Sequence, residues 1–319
     1  MRARAANVMD DPPKNQTQNR RAIIDVGSNS VKLLIAEVVD GNVIPLLHEG
    51  EQTRLGRGVF ETGLLQPAAI EDTIRVVAGF AGKARGHGAT QIRVLATSAA
   101  RDATNSDELT ASMTVIGLNL EIISGEVESE LVLRGVRSHP DFAEGSLALI
   151  DVGGGSTELL VTDAQSLRVE QSFQLGTVRL LEKNPPSDPP TGAERAQLTR
   201  ILGEFLDDQV TPLLGDVPLP ETLVGAGGTP IFLALISRAC EELAADEIES
   251  LRLSLSEVQA LTERLWKMPL TERRQLPGLP ANRADVILLG AAVYESLMLR
   301  CGFGELRPTL RGVRYGALL

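Results

Sequence analysis

From Arg21 to Leu55 the apolar positions come in short runs, Val26, Leu33-Leu34-Ile35, Val38-Val39 and Val43-Ile44, with Gly41-Asn42 between the last two. Runs this short, bounded by turn formers, predict strands joined by hairpins. The period then changes. Pro67 opens a helix running to about Arg85, with Ile70, Ile74, Val77 and Phe80 on one side; at the first helical position a missing N–H costs nothing. A strand from Ile92 to Ala96, a polar turn, a helix from about Ser106 and a strand from Leu120 to Ser124 follow. A β-rich start succeeded by alternating helices and strands predicts an α/β lobe.

The second half repeats the plan, with strands predicted over Leu147 to Asp151, Glu158 to Thr162 and about Arg168 to Phe173. Thr191 with Glu194 is a capping-box signal for a helix to about Gln209, and Ser254 with Glu257 repeats it for a helix ending near Lys267. Asn184 to Gly192, with its four prolines, reads as a surface connection ahead of a lid. Val286 to Leu299 is interrupted by Glu295 and too short to span a bilayer, so it reads as a buried helix and no membrane association is expected.

The repetition extends to the letters. Ile24-Asp25-Val26-Gly27-Ser28-Asn29-Ser30 returns as Ile150-Asp151-Val152-Gly153-Gly154-Gly155-Ser156, each followed by a pair of leucines, Leu33-Leu34 and Leu159-Leu160. Each copy predicts strand, tight turn, strand. Glycines let the backbone approach a phosphate, Ser and Asn donate to its oxygens, and the aspartate can hold a magnesium ion. A third apolar run, Thr222-Leu223-Val224, leads into Gly225-Ala226-Gly227-Gly228-Thr229 and opens a helix. Any one such turn is most simply a chain reversal. Paired Asp-containing hairpins with a later Gly-Gly-Thr turn are what an actin-like architecture requires, two related α/β lobes flanking a phosphate-binding cleft.

A length of 319 residues with 43% hydrophobic composition suits two ordinary cores. The formal net charge of −11 excludes a nucleic-acid binder held by a general basic field and leaves any polyanion to local arginines. Two cysteines, Cys240 and Cys301, without a CxxC, and three histidines indicate neither a zinc cluster nor a disulfide framework, and a cytoplasmic setting is the simplest. Residues 1–20 carry arginines but no apolar core, which reads as a flexible tail rather than a signal peptide.

Three further segments carry chemistry. After the Ile92 to Ala96 strand, Thr97 and Ser98 offer hydroxyls, and Arg101 a guanidinium able to clamp phosphate oxygens; a surface arginine beside a helix cap is the plain alternative. In Ser124 to Arg137, helical spacing puts Glu126, Glu130, Arg134 and Arg137 on one solvated face. Glu128 falls opposite, among Val127, Leu131, Val132 and Gly135, where a carboxylate is disfavoured unless it has a task such as activating water. Glu158 follows the second glycine turn and is expected to bind magnesium with Asp151 and Asp25; its counterpart Lys32 reads first as a solvent-facing strand residue.

Together, Asp25 to Ser30, Ala96 to Asn105, Ser124-Gly125 with Glu128, Asp151 to Glu158, and Gly225 to Thr229 resemble, in order, the exopolyphosphatase/guanosine pentaphosphate phosphatase family of the actin-like superfamily. The resemblance spans about Arg21 to the C-terminus. It implies an α/β fold of two actin-like (ribonuclease H-like) lobes and Mg2+-dependent release of terminal orthophosphate from inorganic polyphosphate or pppGpp. It implies Glu128 as catalytic base and Arg101 as phosphate ligand. Gly27, Ser28, Asn29, Ser30, Thr97, Ser98, Gly153, Gly154, Gly155, Ser156, Gly227 and Gly228 would line the phosphate track. Asp151, Glu158 and Asp25 would be the magnesium-associated acids. Arg283-Ala284-Asp285 and Gly290 resemble a late pattern of the family with a packing role. Ser129 stands where the family usually has Ala and Val127 where an acid is common; neither removes Glu128. The chain is too short for the extra helical region of the longer members and resembles the two-domain form.

The expected division is a first lobe over 21–124, completed by about 300–319 if the C-terminal strand crosses back, and a second over 125–299. A kinase of the same fold, holding ATP by the same hairpins, and a non-catalytic sensor of guanosine tetra- or pentaphosphate are the alternatives. A homodimer is the default expectation for assembly.

Overall fold

The computed structural model describes residues 19–163 and 166–319. All but the last two residues of the expected N-terminal tail lie outside the described residues. The chain forms two sheets. The first contains β1 (Arg20–Val26), β2 (Ser30–Val39), β3 (Asn42–Gln52), β4 (Gln91–Ala96) and β5 (Leu120–Ile122), in the order β3-β2-β1-β4-β5. The second contains β6 (Leu147–Val152), β7 (Thr157–Thr162), β8 (Leu167–Phe173), β9 (Thr222–Ala226), β10 (Leu253–Ser254) and β11 (Glu305–Pro308), in the order β10-β11-β9-β6-β7-β8. Each opens with a three-stranded antiparallel meander and then adds a strand parallel to the first, β4 beside β1 and β9 beside β6. Because side chains alternate along a strand, register decides which pairs share a face. Asp25 pairs with Lys32, and Asp151 pairs with Glu158, at the same place in each meander.

The β2–β3 turn is centred on Asp40-Gly41, both at positive φ (50° and 77°), one residue ahead of the Gly41-Asn42 signal. Two successive positive φ values match the twist of the flanking strands, and Asn42 is thereby freed to begin β3.

Helices Pro67–Gly86 and Ser106–Val115 cover the outer face of the first sheet, and helices including Leu255–Lys267 and Ile287–Cys301 cover that of the second. Between the sheets lie Gly125–Arg137 and Val313–Leu318, sealed by Ile23, Leu34 and Leu95 on one side and Leu149, Leu160 and Val224 on the other. These two helices meet through glycine. A Cβ on Gly316 would collide with the Leu131 carbonyl, and one on Gly135 with the Gly312 carbonyl. Among the described residues no helix is long and apolar enough to cross a membrane.

β11 lies parallel to β9 in the second sheet rather than crossing to the first. β1 already has β2 and β4 on its two sides, whereas β9 has an edge to offer. The helix that follows makes the crossing: Arg21 Nη1 donates to Leu318 O at 2.8 Å and Arg93 Nη1 to Ala317 O at 3.0 Å.

Candidate active site

The two glycine turns are closed by the same bond, Gly27 N–H to Ser30 O at 3.1 Å and Gly153 N–H to Ser156 O at 2.9 Å. They face one another almost in contact. A Cβ on Gly154 would lie 2.9 Å from Ser28 Cβ, and one on Gly155 would lie 2.8 Å from Ser28 Oγ. Only glycine permits that approach. Beside the turns opens a cavity of about 460 Å³, lined by Gly27 to Ser30, Gly153 to Ser156, Thr97, Ser98, Gly227 and Gly228, and by Asp25, Glu128, Asp151 and Glu158. Sequence-distant residues expected along one track are thus brought together.

Two donors there are buried without a partner, Ser28 Oγ and Asn29 Nδ2. Asn29 Oδ1 accepts from Gln52 Nε2 at 2.8 Å, which leaves its amide N–H groups for something else. Buried donors without acceptors are costly, so their presence marks a place where an oxygen-rich ligand fits.

The acids line the same cavity as these donors. Glu158 is 1% exposed and accepts from Ser172 Oγ at 2.8 Å, yet burial, with the charges of Glu128 and Asp151, raises its pKa well above the usual range. Burial also raises Asp151, with Lys32 opposing and Asp25 reinforcing the shift. Gly227, at φ 83°, lets its backbone pass so close to Asp151 that a Cβ would come within 2.5 Å of Oδ1. Among the described residues no three His, Cys, Asp or Glu side chains form a metal cage.

Glu128 enters from the first turn of Gly125–Arg137, which Ser124 caps by accepting from Val127 N–H at 3.3 Å. Its side chain is buried beside Leu131, Val132 and Gly135, whereas Val127, expected on the same side, is exposed. Burial pushes Glu128 up to about 7 against the lowering influence of Arg101. Arg101 does not line the cavity. Its Nη1 donates to Glu128 Oε2 and to Ile123 O, both at 3.0 Å, so it is in place to orient that carboxylate.

Lys32, read first as solvent-facing, lines the cavity, and burial lowers its pKa while Asp25 opposes the shift. Period-two alternation separates the two faces of β2 but does not say that the polar one looks into a cleft. Two further cations complete the lining. Arg314, from the last helix, donates to Leu33 O at 3.1 Å, and Arg283 comes from the segment expected only to pack. Burial lowers both pKa values. The arginine excess of Leu306 to Leu319 was the available signal for Arg314, but nothing local separates it from Arg307, which pairs with Asp141, or Arg311, which donates to Ser138 Oγ at 2.8 Å.

Two lobes of one plan, closing on paired glycine turns, define an enzyme of the actin-like fold. The sequence pattern of the Ppx/GppA phosphatase family matches residues 34–319, and the chain belongs to that family, whose members are hydrolases of phosphoric anhydrides. It is 36% identical over 290 residues to Exopolyphosphatase 2 of Mycobacterium tuberculosis, covering 87% of this chain and 89% of that protein. It is 29% identical over 283 residues to Exopolyphosphatase 1 of Mycobacterium bovis, covering 88% and 81%. A solved exopolyphosphatase from Cytophaga hutchinsonii superposes with a TM-score of 0.85 at 25% identity, covering 94% of this chain and 96% of that one. The Aquifex aeolicus member of the Ppx/GppA family gives 0.77 at 30% identity, covering 94% and 96%.

Proposed function

We propose that this protein is an exopolyphosphatase-type phosphohydrolase that releases terminal orthophosphate from inorganic polyphosphate. The observation that carries the reading is Glu128, a buried carboxylate in the cleft whose pKa is pushed to about 7, where a general base works best at neutral pH. The two relatives named as exopolyphosphatases support polyphosphate as the substrate class. In this reading Ser28, Asn29 and the backbone N–H groups of the glycine turns donate to the terminal phosphoryl oxygens. Arg101 orients Glu128, and deprotonated Glu128 takes a proton from the water that attacks phosphorus in line with the leaving oxygen.

Mg2+ fits the donor set. Asp151, Glu158, Glu128 and Asp25 bring four carboxylates to one cleft, and burial raises the pKa of the first three, a shift that a cation bound there would oppose. Mg2+ usually takes one or two carboxylates, keeps several waters and shares the rest with phosphate oxygens, which suits a site without a closed three-residue cage. Asp151 and Glu158 would hold it, with Asp25 opposite. Bound there, the ion would offset charge on the phosphate oxygens.

The test is orthophosphate release measured side by side on short polyphosphate, long polyphosphate and pppGpp, with and without Mg2+. Release from polyphosphate that requires Mg2+ is the expected result. Release from pppGpp alone would move the substrate to the guanosine nucleotide, and no release from any of the three would remove the proposal.

A further inference from the structure

Arg179 lies in the helix Thr177–Lys183 after β8 and is only 7% exposed. Its Nε donates to Gly155 O at 2.9 Å in the second glycine turn. Its Nη2 pairs with Asp102, at the end of the short helix Ser98–Asp102 in the first lobe, and its guanidinium sits over the Phe60 ring, 4.0 Å from the centroid. A guanidinium makes all three contacts at once because its donors form a rigid planar fork that also stacks; an ammonium does not.

Both ends of this bridge reach phosphate-cradle backbone or hydroxyls. Asp102 Oδ2 also accepts from Ser98 Oγ at 3.3 Å, and Ser98 lines the cavity. On the other side the Arg179 helix begins on the second turn itself, with Thr177 N–H donating to Gly153 O at 3.0 Å and Val178 N–H to Gly154 O at 2.8 Å. No slack remains between the lobes, since a Cβ on Gly155 would collide with Ser98 Oγ and lie 2.5 Å from Phe60 Cζ. Arg179 itself does not line the cavity, so its charge serves Asp102 rather than a ligand.

We propose that Arg179 and Asp102 are a positioning pair that sets the gap between the Gly153 to Ser156 turn and the Thr97-Ser98 turn, keeping a phosphoryl group held between them in line with Glu128. The inference rests on the phosphate-cradle reading of those turns. A misplacement of about 1 Å costs on the order of a hundredfold in rate, whereas binding tolerates it better.

The experiment is a double-mutant cycle with Arg179→Lys, Asp102→Asn and the double variant. It is read as kcat and KM for orthophosphate release, as tripolyphosphate affinity by calorimetry, and as Tm. Tm reports whether each single variant remains folded, and kcat is compared only among variants that do. The expected result is a kcat loss of at least roughly tenfold in each single variant, a smaller change in KM, and no further loss in the double, because one linked contact has been removed twice. Losses that multiply in the double variant, or an unchanged kcat in Arg179→Lys, would overturn the pair. If the unsubstituted enzyme releases no orthophosphate from polyphosphate, the proposed activity fails on its own. The cycle is then read on tripolyphosphate affinity, where non-additive weakening supports the pair and additive or absent weakening overturns it.

Discussion

Arg101 donates to Glu128 Oε2 at 3.0 Å, and the same Nη1 reaches Ile123 O. The two residues come from different elements, Arg101 from the short helix Ser98–Asp102 after β4 and Glu128 from the helix that packs between the sheets. The pair is a tuned acid. Burial raises the carboxyl and the guanidinium draws it back to about 7.

Removing the guanidinium should therefore move the titration upward. In Arg101→Met the acid limb of kcat/KM, expected near pH 7 in the unsubstituted enzyme, should shift by about one pH unit or more to higher pH, with activity partly recovered at pH 9. An acid limb that stays in place, with only a lowered plateau, would leave Arg101 as a direct phosphate ligand and not as the group that tunes Glu128.

The same shift has a consequence for stability. Glu128 has a folded pKa above its unfolded value, so between about pH 4.5 and 7 the folded state holds more protons than the unfolded one, and stability contributed by the neutral acid is lost as pH rises. Measured in chelator, Glu128→Gln should be more stable than the unsubstituted protein by about 1–3 kcal/mol at pH 8 and nearly equal to it at pH 4. Denaturant titrations at the two pH values check this, and equal stability at both would contradict the buried, destabilised carboxylate.

The glycines separate closure from folding. Gly155→Ala meets side chains of the other lobe, Phe60 and Ser28, and should lower kcat/KM by about tenfold or more while the lobes stay folded. Gly316→Ala meets the Leu131 carbonyl, which cannot swing away, and should cost about 1–3 kcal/mol of stability by overpacking the interlobe core. Thermal melts beside activity distinguish the two, and a reversed pattern would contradict the packing described.

Much of this was legible in the chain. The β1–β2 and β6–β7 hairpins, the helix bearing Glu128 and the capping boxes at Thr191 and Ser254 are local patterns, set by alternation, helical period and turn chemistry within a few residues. Arg283 and Arg314 were marked in the sequence, by the family-like Arg283-Ala284-Asp285 and by the C-terminal arginine excess, but not placed in the cleft. The Arg179–Asp102 contact carries no local mark, because it joins residues far apart along the chain. Arg101 was legible as a functional arginine, but its contact with Glu128 was not. That contact depends on a residue 27 positions away and on the packing of two helices.

Magnesium should bind where burial has raised the pKa of the acids. Saturating Mg2+ at pH 8 is expected to raise Tm by a few degrees, following the stabilisation of about 2–3 kcal/mol that a ligand at a hundred times its Kd confers. Asp151→Asn and Glu158→Gln should abolish that increment, and Glu158→Gln should itself be more stable than the unsubstituted chain in chelator, since it removes a buried acid with a raised pKa. An undiminished Mg2+ increment in both variants would place the cation elsewhere.

The account centres on Glu128 as the base. Single-turnover orthophosphate release from polyphosphate by Glu128→Gln, with tripolyphosphate affinity and circular dichroism recorded alongside, tests it most directly. The account predicts a fall in rate on the order of 10²- to 10⁴-fold with affinity and fold retained; release within about threefold of the unsubstituted enzyme would contradict it.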